Sequence, residues 1–127
     1  MTLQLHNKKI LIVEDVVSSI LYYKSAFKHS GAEILIATNG RQAVDIIVKN
    51  SHIDIILMDI VMPEMNGLDA TKKIKEISPD TSVIIQTAYV QKHTAYQCFE
   101  AGCDAFLEKP VSLTKLLNLV DELINKK

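Results

Sequence analysis

Short apolar runs rich in Ile and Val alternate along this chain with longer segments whose apolar positions recur at helical spacing. The runs stop on charge: Ile10-Leu11-Ile12-Val13 on Glu14-Asp15, Ile55-Ile56-Leu57-Met58 on Asp59, and Phe106-Leu107 on Glu108-Lys109-Pro110. Runs of this kind suit strands buried on both faces of a parallel sheet, which tolerate little charge until the strand emerges. The charges therefore mark strand ends. The pattern predicts strands over residues 9–14, 33–37, 53–58, 82–87 and 105–107.

The intervening stretches read as helices. The first, over 17–29, carries Ile20, Tyr23 and Phe27 on one stripe, with Gly31 beyond it as a stop. The second follows Asn39-Gly40 and turns Ala43, Val44, Ile47 and Val48 inward. The third, over 68–77, sets Leu68, Thr71, Ile74 and Ile77 on its inner face and ends at Ser78-Pro79. The fourth, over 91–101, places Ala95, Cys98 and Phe99 inward before Gly102. The last starts at Ser112, a good N-cap, and repeats Leu113, Leu116, Leu117, Val120 and Ile124 at helical spacing. Strand-then-helix repeated five times, joined by right-handed crossovers, gives an α/β fold. The expected form is a doubly wound five-stranded parallel sheet of flavodoxin-like order 2-1-3-4-5, with five helices on its two faces. In that order the first and third strands are neighbours, so Glu14-Asp15 and Asp59 meet at the edge where open α/β sheets bind ligands.

Length and composition narrow the class. A chain of 127 residues makes one domain, 1–127, and shows no internal repeat, low-complexity stretch or linker. The net charge of −1 gives no strong pull toward nucleic acid or anionic lipid, so neither DNA nor a membrane surface is an expected partner. Cys98 and Cys103 have neither the number nor the spacing of a disulfide framework or zinc site; reduced, partly buried thiols suit the cytoplasm. The first nine residues lack the apolar core of a signal peptide, and no apolar run approaches the roughly 20 residues that span a bilayer. A soluble cytoplasmic domain is expected.

The chemistry lies at the shared strand edge. Crowding Glu14, Asp15 and Asp59 costs repulsion and raises at least one carboxyl pKa unless a cation sits among them. Oxygen-only ligands, with one or two direct carboxylates and the rest carbonyl and water, are what Mg2+ prefers. An aspartate there can act as nucleophile toward a phosphoryl group and form an acyl phosphate. Lys109 offers a point charge and Thr87 a hydroxyl for the new phosphoryl oxygens. Pro110, directly after Lys109, suits a turn through a cis peptide.

Taken together, Ile10-Leu11-Ile12-Val13-Glu14-Asp15, the run Leu57-Met58-Asp59-Ile60-Val61-Met62-Pro63-Glu64-Met65-Asn66-Gly67, Thr87-Ala88 and Lys109-Pro110 resemble the response-regulator receiver domain (CheY-like) of two-component signalling. The resemblance covers nearly the whole chain. It implies that Asp59 accepts a phosphoryl group from a phosphohistidine on a histidine kinase or histidine phosphotransfer protein. It also implies that Mg2+ (or Mn2+) is held by Asp15, Asp59 and the backbone carbonyl of Val61, with Glu14 acting through water. Thr87, the backbone of Ala88 and Lys109 would bind the phosphoryl group. Thr87 and Phe106 would relay the change to the face made by helix four, strand five and helix five, where an output partner or a second copy docks. Phe106 lacks a tyrosine's hydroxyl, so such a relay rests on packing. Val16 stands where many relatives carry an acidic or amide residue. Val61 and Tyr89 match the family's variable positions beside the hydrolytic water; being apolar and bulky, they imply slow autodephosphorylation. The Met58-to-Gly67 stretch and Ala101-Gly102-Cys103-Asp104 resemble receivers of hybrid histidine kinases, so the chain is either a stand-alone regulator or a receiver cut from a longer protein.

Plainer readings hold for other residues. Glu108 reads as solvated, Asp54 as a local or edge pairing, and His6, His29, His52 and His93 as surface groups without a second ligand at metal spacing. Tyr96, His93 and Leu119 read as exposed positions or part of a partner face. Two enzymatic or cofactor classes fit poorly. A haloacid-dehalogenase-type hydrolase needs an acid two positions after Asp59, where Val61 stands, and a flavodoxin needs a Gly-rich phosphate loop where Glu14-Asp15-Val16-Val17 would repel the anion. The alternative to a phosphoacceptor is an unphosphorylated protein-interaction module of the same fold.

Overall fold

The computed structural model describes residues 3–50, 52–62, 64–88 and 90–126. Five strands, β1 (Lys9–Val13), β2 (Glu33–Ala37), β3 (Ile55–Asp59), β4 (Ser82–Thr87) and β5 (Ala105–Glu108), alternate with α1 (Val17–Ala26), α2 (Gly40–Lys49), α3 (Gly67–Ile77), α4 (Thr94–Ala101) and α5 (Leu113–Asn125). The sheet is parallel throughout, in the order β2-β1-β3-β4-β5. All strand ends therefore face one edge, as the sequence pattern predicts. The boundaries differ slightly. Glu14 lies just past β1, and Ile53 and Asp54 precede β3 rather than opening it.

Alternation along the strands builds two cores. Ile10, Ile12, Ile55, Leu57 and Ile84 meet Tyr23 and Phe27 of α1 and Leu116, Leu117 and Val120 of α5. Leu11, Val13, Ile56, Met58, Val83 and Ile85 meet Ala43 and Ile47 of α2, Ala70 and Ile74 of α3, and Cys98 of α4 on the other face. Each such fully buried Ile or Leu contributes about 1.5–3 kcal/mol relative to exposure, which makes the central strands rigid supports for whatever they carry at their ends. Leu3 and Leu5, before β1, also join the first core, where Leu5 N donates to Ser30 O.

Helix ends follow local chemistry. Asn39, Asn66 and Ser112 cap α2, α3 and α5 by accepting from the amides of Gln42, Asp69 and Lys115. α1 ends at Ala26, short of His29, and α4 begins at Thr94 rather than Gln91 because the Thr94 hydroxyl accepts from Gln91 N in the turn before it. That late start moves the buried stripe of α4 to Thr94, Cys98 and Ala101. Phe99 is 52% exposed and Ala95 is also exposed, against expectation. Val48, Ile77 and Leu113 likewise face solvent, because each sits at a helix end or beside the stripe where no neighbouring element covers it. Leu119 instead packs partly against the first core and is not a free surface residue. No helix among the described residues is long and apolar enough to cross a membrane.

Candidate functional site

Register carries three polar side chains to one place. Val13 pairs with Met58, and Asp59 with Gln86, so Glu14, Asp59 and Gln86 follow one another across β1, β3 and β4 at the same level. All three continue the alternation of Ile12, Leu57 and Ile84 and so belong to the face covered by α1 and α5. Gln86 lies beside Leu107 of β5, and Lys109 follows two residues on. The strand ends thus supply a row of acid, acid and amide, with a lysine reaching in from the edge.

The ion pairs are close. Lys109 Nζ lies 2.6 Å from Glu14 Oε1 and 3.6 Å from Asp59 Oδ2. Glu14 is fully buried; its Oε2 accepts from the amides of Asp15 and Val16, both at 3.1 Å. Asp59 is 6% exposed, and its Oδ1 accepts from Val61 N at 3.4 Å. Burial first, and the charge of Glu14 second, push the Asp59 carboxyl up to about 6 against the opposing pull of Lys109 and of the Val61 and Ile60 amides. Asp15 is exposed. Carboxylate oxygens of Glu14, Asp15 and Asp59 all lie within 4.8 Å of one another. Three hard oxygen donors at this spacing, with one carboxyl forced toward its neutral form, have the chemistry of a divalent-cation site that Mg2+ fits.

Asp15, Val16, Asp59, Val61, Thr87, Ala88 and Lys109 line one open cleft of about 520 Å³. Thr87 is 1% exposed, Val61 is 58% exposed, and the carbonyl of Thr87 accepts from Lys109 N at 2.8 Å, tying the segment just past β5 to β4. The Lys109–Pro110 peptide is cis, as the sequence suggests. On the far side, Gly67 N donates to Ile60 O, and a Cβ on Gly67 would collide with the carbonyl of Asp59, so only glycine lets α3 begin this close to the acid. Phe106 is partly buried on the opposite sheet face, against the α2–α4 core. Tyr89 and Pro63 lie outside the described residues.

Of the residues singled out from the sequence, the structure brings Glu14, Asp15, Asp59, Val61, Thr87, Ala88 and Lys109 together. The sequence reading misses two residues. Tyr23, expected only as an apolar core residue, donates its hydroxyl to Gln86 Oε1 at 2.9 Å, and Gln86 Nε2 faces Glu14 Oε1 at 3.5 Å. The available signal is a glutamine inside an otherwise apolar strand, one residue before Thr87. Away from the cleft, Asp54 meets its near neighbour His52 Nε2 at 2.7 Å, the local pairing expected, and also accepts from Lys9 N of β1 at 2.9 Å.

The chain is 35% identical over 117 residues to the chemotaxis protein CheY of Thermotoga maritima, covering 91% of this chain and 97% of that one. The receiver domain protein (CheY-like) of Methanospirillum hungatei superposes with a TM-score of 0.87 at 28% identity, covering 94% of each chain. The receiver domain of a sensor histidine kinase from Pseudomonas aeruginosa matches at 26% identity and a TM-score of 0.83, over 93% of this chain and 98% of that one; its structure holds a magnesium ion in the active-site cleft. The family model of the response regulator receiver domain matches residues 10–121. Sequence, fold and cleft together make this chain a member of the response regulator receiver domain family of two-component signalling.

Proposed function

We propose that Asp59 is the phosphoacceptor of a two-component phosphorelay. The supporting observation is the convergence of Lys109 on both Glu14 and Asp59, beside Asp15, at the open edge of a rigid parallel sheet. Asp59 Oδ attacks the phosphorus of a phosphohistidine on a histidine kinase or histidine phosphotransfer protein. The P–N bond breaks as the Asp59 O–P bond forms, and the imidazole leaves as the neutral ring after taking up a proton.

Asp15, Asp59 and the carbonyl of Val61 would hold Mg2+, with Glu14 acting through water; the ion supplies charge neutralisation for the transferring phosphoryl group. Lys109 pairs with a phosphoryl oxygen, and the Thr87 hydroxyl and Ala88 amide donate to the others. Withdrawal of Thr87 toward the phosphoryl group frees space for Phe106 to repack, which alters the α4–β5–α5 face offered to an output partner or a second copy. The protein is then a signalling domain whose chemistry is limited to its own phosphorylation and slow dephosphorylation. Acetyl phosphate with Mg2+ should label the wild type and fail to label Asp59→Ala; equal labelling would contradict the assignment.

A further inference from the structure

We propose that Tyr23 and Gln86 form a positioning pair for the acidic cleft, holding the Glu14 carboxylate in place and tying helix α1 to the phosphoacceptor. The inference rests on the reading of Asp59 and its neighbours given above. Its basis is a continuous buried chain of contacts: Tyr23 Oη to Gln86 Oε1 at 2.9 Å, Gln86 Nε2 to Glu14 Oε1 at 3.5 Å, and Glu14 Oε1 to Lys109 Nζ at 2.6 Å. Tyr23, Gln86 and Glu14 are 2%, 1% and 0% exposed, so these links are shielded from bulk solvent.

A carboxamide in such a place is costly unless both ends are matched. Here the match has a direction. The tyrosine hydroxyl donates to the oxygen end, which leaves the NH2 end to face the acid row. Reversing the amide would set its oxygen against the Glu14 carboxylate, which only accepts, so Glu14 selects the orientation in which Gln86 is a donor to the site and the Tyr23 hydroxyl satisfies the oxygen end.

Two donors share one Glu14 oxygen, and they differ in reach. Lys109 is close and Gln86 is at the limit of a hydrogen bond. When Lys109 turns to a phosphoryl oxygen, Glu14 Oε1 loses its near partner and Gln86 is the donor left beside it. The pair thus keeps the acid from drifting as charge in the cleft is rearranged. Because Tyr23 belongs to α1, that helix is linked to Glu14 through two hydrogen bonds.

The experiment is a Mg2+ titration of the unphosphorylated full chain, measured by isothermal titration calorimetry, for wild type, Tyr23→Phe, Gln86→Met and the double variant. Acetyl phosphate labelling of wild type and Asp59→Ala runs beside it. Tyr23→Phe and Gln86→Met keep the packing and are each expected to weaken Mg2+ binding by roughly 10-fold, the low end of what loss of an orienting partner costs at metal sites. The double variant should be no weaker than the weaker single, since the two act as one unit. It is also fully apolar, so it leaves no buried polar group unmatched. Return of the double variant to wild-type affinity would mean that the singles suffered only from an unpaired group, and would overturn the positioning role. Unchanged affinity in the singles, or additive losses in the double, would overturn it as well. Failure of wild type itself to label at Asp59 would instead remove the reading of the site on which the inference rests.

Discussion

Lys109 and Glu14 form the tightest contact of the cleft: Nζ lies 2.6 Å from Oε1, with the lysine side chain 18% exposed and the glutamate sealed. The lysine that is to meet a phosphoryl group is thus parked on a carboxylate beforehand. Removing Lys109 leaves Glu14 buried beside Asp59 without its closest counter-charge. Lys109→Met is therefore expected to destabilise the metal-free protein by roughly 2–4 kcal/mol, and Glu14→Gln in the same chain to restore most of the loss. Urea midpoints across the four proteins of this cycle measure it.

The Asp59 carboxyl, raised to about 6 by burial and then by Glu14, gives a pH dependence of definite sign. A raised folded-state value means that folding favours the protonated acid. That contribution is complete below about pH 4, near the unfolded value, and disappears as pH rises through the folded one. Asp59→Asn removes the penalty, so it should match wild type near pH 4 and exceed it by roughly 1–3 kcal/mol near pH 8. Saturating Mg2+ should raise wild type toward the variant and leave the variant itself almost unmoved, as thermal melts in both conditions can read.

At the opposite end of the sheet, Asp54 carries the reverse sign. Burial would raise its carboxyl, but the Lys9 amide and His52 outweigh that and hold it below the usual value. Stability from this group is present above the unfolded carboxylate value and is lost as pH falls through the folded one. Asp54→Asn should cost about 1 kcal/mol near pH 7, with the difference shrinking toward about pH 3. A gap independent of pH would show that the charge contributes nothing.

Val61, 58% exposed at the mouth of the cleft, offers no polar group to order an attacking water. The phosphorylated protein is therefore expected to decay slowly, with Val61→Asn and Tyr89→Ala each shortening its lifetime several-fold. Phosphoryl decay after removal of the donor measures this, and equal rates in all three proteins would contradict it.

Much of this was legible in the chain because buried parallel strands admit charge only where they end. Glu14, Asp59 and Lys109 are therefore visible as interruptions of apolar runs, and sheet order alone sets them side by side. Gln86 was not visible in that way. It lies within β4, one position before Thr87, and its role depends on a hydroxyl from a helix far away in sequence. Tyr23 shows the same limit, since periodicity places its ring correctly and says nothing of its hydroxyl. In α4 the buried stripe differs from the apolar pattern because Thr94, a polar residue, is buried at the helix start, whereas Phe99 remains outside. Helical spacing over eight residues contains too few turns to fix the phase against such an exception.

On this account a phosphoryl group is carried by Asp59, as an acyl phosphate, and by no other side chain. Borohydride reduction of the acetyl-phosphate-treated protein converts an acyl phosphate to a stable alcohol whose position peptide mass spectrometry can locate. The account requires Mg2+-dependent conversion of position 59 to homoserine, absent when Mg2+ is chelated. Conversion at Asp15, or none at position 59 in a folded, Mg2+-binding protein, would contradict it.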